Sequence, residues 1–92
     1  MLSAETHRIL LADDNVDFVN SIGALLTAMG HSLVITHNGP DALAAAARFS
    51  PDVAFLDIGL LQLSGYDLAR ALRRLPFGEV TLLVAVTGWG QE

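Results

Sequence analysis

The chain is 92 residues long, 52% apolar and 16% charged, with no cysteine and a formal net charge of −5. Those totals describe one small domain with a core of its own, and they exclude disorder, a disulfide framework and a thiolate metal site. Five basic residues, all arginine, face ten acidic ones. That balance points away from nucleic acid or anionic lipid as direct partners and is compatible with a divalent cation. The opening MLSAETHR lacks the basic region and apolar stretch of a signal peptide, and no apolar run approaches the roughly 20 residues that span a bilayer. We therefore expect a soluble, cytoplasmic domain without membrane contact.

Two kinds of segment alternate along the chain. Arg8 to Ala12 is a short apolar run that stops at Asp13-Asp14, as a buried parallel strand does. From Val16 to Met29 the residues Val19, Ile22, Leu26 and Met29 recur three and four apart, which predicts a helix with those four in the core; Gly30 suits its C-terminus. Ser32 to Thr36 reads as a second strand, closed by Asn38-Gly39. Pro40 then stands where a first helical residue should, ahead of a helix over Asp41 to Arg48. Ser50-Pro51-Asp52 breaks that helix, and Val53 to Leu56 is a third strand ending at Asp57. Gly59 to Gly65 reads as a loop and Tyr66 to Leu75 as a helix with Leu68, Ala71, Leu72 and Leu75 inward. Val80 to Val86 is a fourth strand, closed by Thr87-Gly88. Strand and helix alternation with continuous apolar strands implies an α/β domain: a parallel sheet covered on both faces and joined by right-handed crossovers.

In such sheets ligands bind beyond the carboxyl ends of the strands. Strand one ends in Asp13-Asp14, strand three in Asp57 and strand four in Thr87, so three carboxylates and a hydroxyl converge on one rim. Like charges that close raise one another's pKa unless a cation is shared among them. A hard divalent ion with oxygen ligands resolves the conflict, and Mg²⁺ suits a site with few protein ligands. The same set fits phosphoryl chemistry, because a carboxylate can attack phosphorus while a metal neutralises the phosphoryl oxygens. The histidines His7, His31 and His37 are expected away from this rim. Arg70, Arg73 and Arg74 are expected on a solvated helix face, and Trp89 flanks the site or awaits a partner.

Leu10-Leu11-Ala12-Asp13-Asp14-Asn15 resembles the first-strand motif of response regulator receiver domains. Pro51 to Leu60 resembles the segment around their phosphorylated aspartate. Asn38-Gly39-Pro40-Asp41-Ala42-Leu43, Ser64-Gly65-Tyr66-Asp67-Leu68-Ala69 and Val86-Thr87-Gly88 resemble the other segments, in the correct order. The resemblance implies a flavodoxin-like doubly wound sheet with strand order 2-1-3-4-5 over a receiver domain of residues 1–92. Asp57 is then the phosphoacceptor, taking its phosphoryl group from a histidine kinase or phosphotransfer protein. Asp14, supported by Asp13, binds Mg²⁺ together with Asp57 and the backbone carbonyl of Gly59, and Thr87 is the switch hydroxyl. Thr87-Gly88-Trp89-Gly90-Gln91 also resembles receivers attached to hybrid sensor kinases.

The chain departs from the family pattern in two places. Leu61 and Gln62 stand where receivers usually carry proline and glycine. The sequence also reaches Glu92 without the expected fourth helix, lysine-bearing fifth strand and final helix, so four of five strands are present. Strand four is then expected at the sheet edge, where an apolar strand templates self-association. Two other readings stay open: a pseudo-receiver serving only in protein interaction or dimerisation, and a metal-dependent phosphohydrolase. The latter usually presents a second carboxylate two residues after the nucleophile, where Gly59 stands here.

Overall fold

The computed structural model describes residues 6–57, 65–75 and 81–86. Its elements run β1 (Arg8–Ala12), α1 (Val16–Ala28), β2 (Ser32–Thr36), α2 (Gly39–Phe49), β3 (Val53–Asp57), α3 (Gly65–Arg73) and β4 (Leu82–Val86). The four strands form one sheet in the order β2-β1-β3-β4, and every pairing is parallel. β1 and β3 occupy the centre of the sheet, and both of their faces are packed against helices.

The period of two along each strand divides the core into two layers. On one face Ile9, Leu11, Leu33, Ile35, Val53 and Phe55 pack with Val19, Ile22 and Leu26 of α1. On the other, Leu10, Ala12, Ala54 and Leu56 pack with Ala42, Ala45 and Ala46 of α2 and with Leu68 and Leu72 of α3. The alanine run of α2 is thus a packing device, since its small side chains let the helix approach the sheet and α3. Gly23 does the same for α1: a Cβ there would stand 2.8 Å from Ile35 Cδ1.

Helix starts are capped by side chains the local sequence supplies. Asn15 Oδ1 accepts from the Phe18 N–H (3.0 Å) and Asn38 Oδ1 accepts from the Asp41 N–H (2.8 Å), each satisfying an orphan first-turn donor. Pro40 lies in the first turn of α2, where its missing N–H costs nothing. Gly30, at φ +97°, ends the first helical segment. Ser50 ends α2 in the left-handed region at φ 51°, a conformation that a side chain with a Cβ adopts at a cost.

One expectation is corrected. Met29 is not core: α1 ends at Ala28, and the methionine at its C-cap is 60% exposed. The three-and-four spacing continued one residue past the point where the helix stops lying over the sheet. Arg70, Arg73 and Arg74 are exposed, as expected; Arg73 Nη1 also donates to the Thr81 carbonyl (2.7 Å), tying α3 to the start of β4. Strand four begins at Leu82 among the described residues, and β4 is their outermost strand on that side. No helix among the described residues is long and apolar enough to cross a membrane.

Candidate functional site

β1 and β3 are adjacent and parallel, so their carboxyl ends open on the same rim. Asp13 follows β1 directly, Asp14 starts the turn into α1, and Asp57 is the last residue of β3. The carboxylate oxygens of Asp13, Asp14 and Asp57 come together with one ligand atom from each lying within 4.8 Å of the others. Their environments differ sharply. Asp57 is 1% exposed and Asp13 5%, whereas Asp14 is exposed. Among the described residues, the buried Asp13 and Asp57 thus stand beside the exposed Asp14.

The backbone holds this cluster from two sides. The Asp13 N–H donates to the Thr36 carbonyl (3.1 Å), and the buried Thr36 hydroxyl donates to the Leu11 carbonyl (3.2 Å). From the other side the Asn15 N–H donates to Asp13 Oδ1 (2.8 Å). Burial pushes the Asp13 carboxyl above the ordinary aspartate range; the Asn15 bond opposes that rise, while the Asp57 and Asp14 charges and a hydrogen bond with Asp57 add to it. Two buried acids this close hold a proton between them or need a cation. That conflict is the fit test for a divalent ion, and this set of hard oxygen donors meets it.

Beside the acids an apolar cavity of about 290 Å³ lies between α1 and the sheet, lined by Leu11, Phe18, Val19, Ile22, Phe55 and Val84, with Asp13 at its polar end. Its walls are almost wholly apolar and offer a phosphoryl group few donors, in contrast to the acid rim.

Of the predicted site residues, Asp13, Asp14 and Asp57 are brought together. Gly59 and Thr87, like the Leu61-Gln62 departure and Trp89, lie outside the described residues. His7 and His31 stand at the opposite rim, as expected, their rings stacked with centroids 5.6 Å apart. His37 is a correction. It lies at the acid rim, its Nδ1 3.1 Å from the Asp13 carbonyl oxygen. The reason is the register: β1 and β2 pair in parallel with Ala12 opposite Thr36, so the residue just past β2 sits beside the residue just past β1.

Comparison with known proteins agrees with this geometry. The family described as "Response regulator receiver domain" matches residues 9–92. The transcriptional regulatory protein KdpE of Mycobacterium tuberculosis is 35% identical over 79 residues, covering 86% of this chain and 35% of that protein. The chain therefore spans about a third of the length of that relative. Protein PilH of Pseudomonas aeruginosa is 32% identical over 85 residues, covering 92% of this chain and 70% of its own length. Among solved structures, the receiver domain of the sensor histidine kinase PA1611 of Pseudomonas aeruginosa, with magnesium coordinated in its active site cleft, superposes with a TM-score of 0.80. It is 28% identical, covering 88% of this chain and 66% of that one. A CheY-like receiver domain from Methylobacillus flagellatus gives 0.83 at 30% identity, covering 91% and 71%.

Proposed function

Because this chain belongs to the response regulator receiver domain family, a family of phosphoacceptor signalling switches, we propose that it takes a phosphoryl group onto Asp57 from a histidine kinase or phosphotransfer protein. The observation that carries the proposal is the convergence of Asp13, Asp14 and Asp57 at the carboxyl ends of the two central strands. One Asp57 carboxylate oxygen bonds to phosphorus as the phosphorus–nitrogen bond of a phosphohistidine breaks; the imidazole leaves with the electron pair and takes up a proton. Water later attacks the acyl phosphate at phosphorus, releasing inorganic phosphate and returning the carboxylate, so the domain resets its own state.

Asp13, Asp14 and Asp57 are the described residues that would hold Mg²⁺, with the Gly59 carbonyl proposed as a further ligand. When bound, the ion neutralises charge on the phosphoryl oxygens. Burial of Asp57 limits the solvation of its carboxylate, and exposed Asp14 lies on the open side of the cluster among the described residues. Thr87 is proposed to hydrogen-bond a phosphoryl oxygen and relay the switch into β4. The whole of residues 1–92 is read as the receiver unit. Self-association through β4, which pairs with β3 on one side among the described residues, is proposed as the contact a solution of this chain favours.

Intact mass before and after incubation with acetyl phosphate tests the central claim. One phosphoryl gain that needs Mg²⁺ and is absent from Asp57→Ala is expected. A folded protein that gains nothing would instead be a pseudo-receiver, a binding module without phosphoryl chemistry.

A further inference from the structure

The ladder between β1 and β2 runs from Arg8 opposite Ser32 to Ala12 opposite Thr36. One backbone bond follows, from the Asp13 N–H to the Thr36 carbonyl. There the strands part, Asp13 toward the acid turn and His37 toward α2. The next bond across the gap is made by a side chain: His37 Nδ1 lies 3.1 Å from the Asp13 carbonyl oxygen. A carbonyl oxygen only accepts, so Nδ1 carries the proton and the neutral ring is the Nδ1–H tautomer, with Nε2 bare.

We infer that His37 is a positioning residue for the divalent-cation site, an imidazole standing in for the strand N–H that the ladder lacks at this step. The inference rests on the reading that the three carboxylates hold the ion. The carbonyl that His37 grips belongs to the peptide plane linking Asp13 to Asp14, so fixing it orients both acids. With the Thr36 carbonyl on its N–H and the Asn15 N–H on Oδ1, Asp13 is held at three atoms. The Asn15 bond closes a turn across Asp14, and the His37 bond is the one of the three made to the Asp13 carbonyl itself. Like charge among the acids pushes the loop to splay, and this bond opposes that motion. The converging ligand atoms among the described residues are the three carboxylates and not the imidazole, which makes the role one of orientation. Outer partners that orient metal ligands typically carry 10–100-fold in affinity; a partner that acts through the backbone is expected to carry about 3–10-fold.

The test is a Mg²⁺ titration of the 92-residue chain, followed by amide ¹⁵N–¹H spectra at pH about 8, where imidazoles are neutral. Wild type is compared with His37→Ala, His37→Asn and Asp14→Asn. Asparagine places its amide nitrogen near the position of Nδ1 and keeps the donor; alanine removes it. The expected result is Mg²⁺ affinity several-fold weaker in His37→Ala and largely restored in His37→Asn, with metal-free melting temperatures alike. Imidazole ¹⁵N shifts should report the Nδ1–H tautomer in the wild type. Wild-type affinity in His37→Ala, no recovery in His37→Asn, or an Nε2–H tautomer would overturn the inference. A wild type that binds no Mg²⁺, or binds it no better than Asp14→Asn, would overturn the reading of the site beneath it.

Discussion

At the amino-terminal rim of the sheet, Asp52 is surrounded by donors. The Arg8 N–H reaches its Oδ2 at 2.9 Å and His7 Nδ1 stands 3.8 Å away. The Arg8 guanidinium donates to the Phe49 carbonyl at 2.8 and 2.5 Å while lying 4.2 Å from the centroid of the Phe49 ring. The Thr81 hydroxyl donates to the Pro51 carbonyl at 2.9 Å. At the carboxyl-terminal rim three carboxylates face one another, two of them buried. Among the described residues, the contacts at the first rim set polar groups against their complements and fasten the end of α2 to the start of β1. The second sets like against like. In a fold this small, a cluster of like charges that raises the proton affinity of Asp13 is kept by what it binds rather than by what it contributes to stability.

The sharpest way to break that contrast is Asp57→Ala, which should abolish phosphoryl uptake, read by intact mass, while leaving the circular dichroism spectrum intact. Uptake in the mutant would move the acceptor elsewhere. At the other rim, Arg8→Ala removes two hydrogen bonds and a ring contact and should cost about 1–2 kcal/mol in urea unfolding, with phosphorylation unchanged per folded molecule. An equal loss of uptake would mean the rims are coupled.

Asp13→Asn keeps an acceptor for the Asn15 N–H but deletes one repelling charge. In EDTA it should stabilise the fold on the order of 1 kcal/mol, and Mg²⁺ should reverse the ranking. The gain should depend on pH with a definite sign. The Asp13 carboxyl titrates above its ordinary value of 3.8 in the folded chain, chiefly through burial, so the folded state binds that proton more tightly than the unfolded one. Its destabilising effect is absent below the ordinary value, grows as pH rises through the elevated folded one, and is constant above it. The advantage of Asp13→Asn should therefore be missing in acid and fully developed at neutral pH, as urea titrations at a series of pH values would show. An advantage that shrank with rising pH would contradict the burial argument. The smallest effect expected is at neither rim's chemistry: Ser50→Gly should stabilise by up to about 1 kcal/mol in thermal unfolding, by relieving a left-handed residue.

Much of this was legible before any coordinates. Continuous apolar strands and helix-period spacing gave the element order, because burial on two faces and burial on one stripe leave different patterns. The positions of Asp13, Asp14 and Asp57 at strand ends gave the acid cluster, because parallel strands present all their carboxyl ends together. Met29 was misplaced because periodicity does not say where a helix leaves the sheet. His37 was misplaced because an isolated histidine in a turn carries no ligand spacing; its meaning comes from the strand beside it.

The amino-acid sequence by itself determined the alternation of strands and helices and the gathering of acids at one rim, since each depends on local pattern or on the direction of a strand. Only the tertiary structure decided that Asp13 and Asp57 are buried while Asp14 is open, and that the His37 ring completes the ladder next to them. Those facts depend on which strands lie side by side and in what register, and register is a property of pairs of segments far apart in the chain.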